Sequence, residues 1–428
     1  MSDYRLTDIE AKSGLGLGPL PEPFMVSLYR ALAPYRGCGH GCLYCDGRAE
    51  KYYVEGEFER DIAVRRNAAE LIARDVAAGK AALEYGSVCF GSGVTDAYQP
   101  AEAELGLTRR TLEALAPTGL PLVILTKSAL ARRDFDLIAR FPRALVMVTL
   151  TTLDEGLASW LEPGASPPAE RLELVRAARD AGFMAGIMAM PLCPGLSDGP
   201  EASGALFKAA RDSGAQFAYP GGLTLRPGRQ KDIFMRRLAG EKPDLVPLYE
   251  RLYRENRQSG SPDLALVRPA YDGWLRALSE LGLPSIIPWD VYSKLLALPD
   301  ALYVFLCHLE DLYARRGVDI RPLRAARERY ASWLKEAKAA LRRQARRAAR
   351  NEAGAEASLF ADADARPSSQ DMAENHAAFP LSAELSRRLD AELESILQNG
   401  RLAALCRPFL SGEAGFDYVG LGLTYRQG

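Results

Sequence analysis

The sequence predicts an α/β protein: a partial (β/α)6 TIM-like barrel followed by a mostly helical C-terminal region. Two observations carry this. From about residue 26 to 225, within a domain read as 26–235, short apolar runs alternate with stretches of helical spacing, and after about residue 235 the alternation stops. Strands that alternate with helices imply crossover connections and a parallel sheet. The composition is ordinary for a globular chain of 428 residues, with 48% apolar and 25% charged residues.

Taken in order, residues 1–25 read as an N-terminal extension. The candidate strands are Met25–Leu32, Ser87–Gly91, Leu122–Leu125, Leu145–Leu150, Phe183–Met190 and Gln216–Tyr219. Between them, helical spacing marks Ile62–Ala77, Leu107–Ala116, Phe135–Arg140, Ala169–Ala181 and Glu201–Ser213. In such a barrel, functional groups gather on the loops leaving the strand C-termini. Residues 236–350 read as a helical region, with helices at Leu245–Glu255, Tyr271–Leu281, Trp289–Leu296, Ala301–Arg315 and Arg321–Arg350. Residues 351–379 are rich in Ala, Asp, Glu and Ser and read as a flexible linker. Residues 380–428 read as one amphipathic helix and a glycine-rich tail that adds a strand or packs on the barrel.

Charge and cysteine usage narrow the function classes. Fifty-four Lys and Arg against 55 Asp and Glu leave a net charge of −1, so no global field draws the chain to nucleic acid. Seven cysteines are too few and too odd for a disulfide scaffold. No stretch reaches the roughly 18 apolar residues a membrane helix needs, and the polar N-terminus is no signal peptide. A cytoplasmic setting without membrane contact is the expectation.

Three cysteines crowd one segment: Cys38-Gly-His-Gly-Cys42-Leu-Tyr-Cys45. Thiolates suit zinc and iron–sulfur clusters, and Gly37, Gly39 and Gly41 permit the tight turns that let three sulfurs converge. One reading is a structural zinc site with His40 as fourth ligand, in an interaction protein without turnover. That histidine is cramped, two residues from each neighbouring cysteine. A second is a ferredoxin-like electron carrier, although that class uses four cysteines in other spacings. The third is a cluster held by three thiolates alone, with one iron open.

The third reading has a resemblance behind it. Cysteines spaced CxxxCxxC after a first strand of such a barrel resemble the radical SAM superfamily. The segment Ala33–Arg48, Gly91-Ser92-Gly93-Val94-Thr95-Asp96, Thr126-Lys127-Ser128, Val148–Thr151 and Glu162–Pro167 with Arg171 are similar to the branch related to spore photoproduct lyase, a DNA repair family. The resemblance covers about residues 30–230 and implies a [4Fe–4S] cluster on Cys38, Cys42 and Cys45. It further implies S-adenosylmethionine (SAM) on the open iron, reductive cleavage to a 5′-deoxyadenosyl radical, and hydrogen abstraction from a substrate. A one-electron donor such as flavodoxin or ferredoxin is then a partner.

The same resemblance places further residues near SAM. Lys127, at a strand end, meets the SAM carboxylate, where otherwise it is a lysine reaching solvent. Arg171 grips a carboxylate, or else lies loosely beside Glu170 or Glu173. Thr149 and Thr151 share one strand face near SAM, or reflect strand propensity alone. Ser92, Thr95 and Asp96 sit on the loop after the second strand, with Asp96 either a ligand group or a turn cap. Tyr44 stacks on adenine or is a packed aromatic. His308 and His376 read as helix-face or linker residues rather than ligands, and Cys307 and Cys406 as small buried hydrophobes on helices. Two departures stand out: Gly93 takes the place of the lyase's hydrogen-returning cysteine, and Asp46 that of a tyrosine. Cys89 is the nearest other thiol. Finally, Lys338, Arg342, Arg343, Arg346, Arg347 and Arg350 lie on adjacent faces of one helix, a phosphate-binding stripe for nucleic acid or a solvated face.

Overall fold

The computed structural model describes residues 4–52, 56–90, 94–355 and 379–425. The strands are β1 (Arg5–Asp8), β2 (Leu15–Glu22), β3 (Ser27–Ala31), β4 (Tyr35–Arg36), β5 (Asp61–Val64), β6 (Val88–Phe90), β7 (Leu122–Thr126), β8 (Ala144–Thr149), β9 (Met184–Leu192), β10 (Ala218–Gly222), β11 (Ala414–Asp417) and β12 (Gly422–Tyr425). Seven of them form one sheet in the order β10-β9-β8-β7-β6-β3-β2. Neighbours from β3 to β10 pair in parallel, and β2 alone runs antiparallel, against β3. The six parallel strands are the six read from the sequence, and the sheet is an open, partial barrel. Strand β8 is buried at every position, as expected of a parallel strand covered on both faces.

The helix expected over Ile62–Ala77 is instead strand β5 followed by the helix Ala68–Ala77. Ile62 and Val64 are fully buried and alternate with less buried neighbours, a period of two that helical spacing further on obscured. Strand β5 pairs with β1 in parallel and with β4 antiparallel. This small sheet anchors the chain immediately before Gly37 and the cysteines.

The C-terminal region is helical: Leu264–Glu280, Trp289–Tyr292, Leu298–Arg315, Arg321–Ala355, Pro380–Leu397 and Gly400–Leu410. The expected helix Leu245–Glu255 is the shorter Val246–Leu252, and an unexpected one covers Arg229–Glu241. The long helix runs to Ala355, into the stretch read as a linker; residues 356–378 lie outside the described residues. The tail forms the hairpin β11–β12, fixed to the helices by the Tyr418 and Tyr292 hydroxyls at 2.6 Å and by Phe416 against Phe305.

The basic stripe is corrected by this packing. Lys338 is buried, with its ammonium 2.7 Å from Asp300 and 3.2 Å from Glu84. Arg342 pairs with the same Glu84. These two cations dock the long helix on the barrel and are not available to phosphates. Arg343 and Arg347 are exposed; the side chains of Arg346 and Arg350 lie outside the described residues. No described helix is long and apolar enough to cross a membrane.

Candidate functional site

The cysteine loop is held at several points. Gly37 has φ +82°, and a Cβ there would stand 2.8 Å from the Asp61 carbonyl oxygen, so glycine is required. The Gly37 carbonyl accepts from the Thr95 hydroxyl (2.9 Å) and the Gln99 amide (3.2 Å), and the Gln99 side-chain oxygen accepts the Gly39 N–H at 2.8 Å. Buried Arg48 donates to the carbonyls of Cys42 (2.9 Å) and Gly41 (2.8 Å). The Gly164 N–H donates to the His40 carbonyl at 2.9 Å, and a Cβ on Gly164 would stand 2.2 Å from the Gly39 carbonyl oxygen. Two loops therefore interlock through backbone contacts that only glycine permits.

Cys38, Cys42 and Cys45 all line one cavity of about 240 Å³ at the C-terminal ends of the parallel strands. Thr95 and Asp96 enter it from the segment after β6, Thr126 and Lys127 from the end of β7, Thr149 from β8, and Met188 and Met190 from β9. Phe24, Leu125 and Leu223 complete an apolar wall. Burial pushes the thiols up, Cys42 to about 12, so metal binding here is coupled to proton release. Burial works against the Lys127 ammonium, but the negative charges of Cys42, Glu162, Asp96 and Cys45 outweigh it and raise its proton affinity. The Lys127 nitrogen stands 5.9 Å from the centre of the Tyr44 ring, so Tyr44 presents a face inside the site.

Not every expected residue has the expected place. Asp96 spends both carboxylate oxygens on protein donors: Tyr98 N–H (2.8 Å), the Thr126 hydroxyl (2.9 Å) and Lys127 N–H (2.8 Å). It caps the turn and ties β6 to β7, at the cavity edge. Arg171 is buried and absent from the cavity lining; it pairs with Glu162 at 2.6 Å and donates to the carbonyls of Ser166 and Thr149. Its partner is Glu162, not Glu170 or Glu173. Thr151 is fully buried outside the lining, because β8 ends at Thr149 and the strand alternation ends with it. Ser92 and Gly93 lie outside the described residues.

Glu162, Gln99 and Arg48 were missed from the sequence. Glu162 receives the Tyr44 hydroxyl as well as Arg171, forming a buried charged layer behind the cavity. The pattern Glu162-Pro163-Gly164 was visible, but nothing in it says that the carboxylate turns towards Tyr44.

The donor set can be tested against the metal readings. Among the described residues, no three His, Cys, Asp or Glu side chains stand close enough together as they are to hold a metal ion. His40 is buried, with Nδ1 3.5 Å from Asp96, and burial lowers its proton affinity to about 4. Three thiols on one cavity wall are a donor set whose chemistry suits a soft metal centre such as an iron–sulfur cluster.

Residues 32–203 match the family model described as Radical SAM superfamily. An uncharacterized protein of Mycobacterium bovis is 36% identical over 227 residues, 51% of this chain and 66% of the relative, and one of Mycobacterium tuberculosis matches equally. An uncharacterized protein of Methanocaldococcus jannaschii is 30% identical over 165 residues, 38% of this chain and 60% of the relative. The chain thus spans just under two thirds of the length of these relatives. Among solved structures, a spore photoproduct lyase variant with bound AdoMet and dinucleoside spore photoproduct aligns over 59% of this chain and 74% of that chain, with 17% identity and a TM-score of 0.46. A radical S-adenosylmethionine methyltransferase from Kitasatospora setae aligns over 49% and 38%, with 18% identity and a TM-score of 0.35.

Proposed function

We propose that this chain is a radical SAM enzyme, on the match of residues 32–203 to the Radical SAM superfamily model, and that its cavity is the active site. Cys38, Cys42 and Cys45 would hold a [4Fe–4S] cluster, with SAM beside it. When bound, that pair supplies reductive cleavage of the S–C5′ bond and a 5′-deoxyadenosyl radical for hydrogen abstraction. The observation that carries the reading is the gathering of all three motif cysteines on one cavity with the half-buried Lys127.

The chain's own residues have defined tasks in this reading. The three thiols release their protons on metal binding. Lys127 offers a cation to the SAM carboxylate, and Asp96 sets its position through the Lys127 N–H. Tyr44, its hydroxyl committed to Glu162, keeps its ring for contact with the adenosine moiety. Thr95 and Thr149 supply polar edges, although the Thr95 hydroxyl already donates to Gly37. Met188, Met190, Leu125 and Phe24 exclude water from the reacting centre. The setting is cytoplasmic, with a flavodoxin- or ferredoxin-like donor supplying the electron.

The substrate differs from that of the photoproduct lyases in this reading. Gly93 carries no thiol, and Cys89 lies buried on β6 outside the cavity lining. The experiment is anaerobic incubation of the reconstituted full chain with dithionite and SAM. Formation of 5′-deoxyadenosine and methionine supports the reading; intact SAM over many hours, with the cluster present and reduced, refutes it.

A further inference from the structure

The loop between the helices Glu155–Leu161 and Pro168–Asp180 contributes no residue to the lining of the cysteine cavity, yet it reaches that lining at three places. The Glu162 carboxylate accepts the Tyr44 hydroxyl. The Ser166 N–H donates to the Lys127 carbonyl at 3.2 Å. Arg171, in the first turn of the second helix, donates to the Thr149 carbonyl at 3.1 Å and to the Ser166 carbonyl at 2.6 Å. Tyr44, Lys127 and Thr149 all line the cavity. One loop therefore stands behind three parts of its wall.

Tyr44 is gripped at both ends. Its carbonyl accepts the Gln230 side-chain amide at 2.8 Å, and the N–H of the neighbouring Leu43 donates to the Leu161 carbonyl at 2.8 Å. These contacts fix where the side chain starts. They leave its torsions free, and the bond from the hydroxyl to Glu162 sets where the ring points. Glu162 is itself held: it is buried and ion-paired with Arg171 at 2.6 Å, and Arg171 is tied in turn to two carbonyls. Any acceptor would satisfy a buried phenol for packing alone. A carboxylate makes a bond roughly twice as strong as a neutral acceptor does. The tip of the ring is thus pinned to a fixed charge behind the wall, while its face stands 5.9 Å from the Lys127 nitrogen inside the site.

We propose that Glu162 is a positioning residue for SAM: through the Tyr44 hydroxyl it holds the Tyr44 ring as a preset face of the cavity against which the adenosine moiety packs. This inference rests on the reading of the cavity as a SAM site. A ring already ordered on the wall costs the ligand nothing to order, whereas a loose ring draws that cost from the binding energy. Glu162 acts only through Tyr44, because it has no place in the lining of its own.

The test is equilibrium dialysis of the iron-loaded full chain with labelled SAM, with affinities compared per loaded cluster. Tyr44→Phe keeps the ring and deletes the bond, and should weaken SAM binding about ten-fold. Glu162→Gln should weaken it in the parent background and add nothing in the Tyr44→Phe background, where no hydroxyl is left to hold. In the cluster-free protein, the shifts of the urea midpoint for the two substitutions should likewise fall short of additive. SAM binding by Tyr44→Phe equal to that of the parent overturns the proposal. So does a Glu162→Gln effect of the same size in both backgrounds, which would make the carboxylate act through its charge. Loss of iron from Tyr44→Phe overturns it too, by placing the hydroxyl in the service of the cluster. A parent protein that loads iron and binds no SAM refutes the underlying reading of the cavity, a result distinct from all of these. Should Glu162→Gln fail to fold, Tyr44→Phe decides alone.

Discussion

The Asp96 carboxylate accepts the backbone N–H of Lys127 at 2.8 Å. The loop leaving β6 therefore fixes where the ammonium at the end of β7 stands. One acidic side chain, fully occupied by protein donors, aligns two neighbouring strands at the rim of the cavity. Replacing it with alanine leaves three donors, on Tyr98, Thr126 and Lys127, without their acceptor. We expect Asp96→Ala to lower the free energy of unfolding by about 1–3 kcal/mol, read by urea denaturation of the cluster-free protein. Unchanged stability would contradict this bracing role.

Lys127 presents its charge to the cavity, so its loss acts on binding rather than on folding. Lys127→Ala should weaken SAM binding by about ten- to a hundred-fold, the cost of a lost hydrogen bond to a charged group. Iron content should stay as in the parent protein. Arg171→Ala behaves differently, because it strands a buried Glu162. It should cost about 3–5 kcal/mol of stability. Equilibrium dialysis with labelled SAM, beside denaturation curves, separates the two. A stable Arg171→Ala protein with lost SAM binding would return Arg171 to the cavity.

Lys338 lies in what the sequence presents as a solvated or phosphate-binding stripe, but it is buried between Asp300 and Glu84. Lys338→Ala should destabilise by about 3–5 kcal/mol through the uncompensated carboxylates. Arg343→Ala with Arg347→Ala, both exposed, should stay within about 0.5 kcal/mol of the parent. Denaturation midpoints check both; equal effects would refute the docking role.

His308 gives a pH signature. Burial lowers its proton affinity from 6.5 to about 3, the Pro23 carbonyl opposing and Arg315 assisting. Between those values the unfolded chain binds a proton that the folded chain does not. Stability contributed by neutral His308 is therefore full above about 6.5 and falls as the pH drops towards 3, by up to about 1.4 kcal/mol per pH unit. His308→Gln should show a shallower acid slope than the parent protein. Identical slopes would contradict the assignment.

The barrel was legible because its strands are near-continuous apolar runs between helical stretches, and all six appear where that pattern puts them. Strand β5 was not, because Ile62 and Val64 lead without a turn signal into the helix at Ala68. At the site, the cysteines and Lys127 were legible through local spacing and strand-end position. The partners of Arg171 and Lys338 were not legible, for one shared reason. A charged residue's role depends on partners distant in sequence: Arg171 meets Glu162 across a loop, and Lys338 meets Asp300 and Glu84 across the helix–barrel interface. The bracing by Gln99 and Arg48 likewise arises only from tertiary contact.

The central claim is that three thiolates, and no fourth protein ligand, hold a cluster open to SAM. Electron paramagnetic resonance of the reduced, anaerobically reconstituted chain, with and without SAM, tests it most directly. We expect four irons per chain and a [4Fe–4S]⁺ signal whose shape changes on adding SAM. Both should vanish in Cys38→Ala, Cys42→Ala and Cys45→Ala, and persist when Cys89, Cys193, Cys307 or Cys406 is replaced. A colourless protein with stoichiometric zinc, or a cluster signal indifferent to SAM, would contradict it.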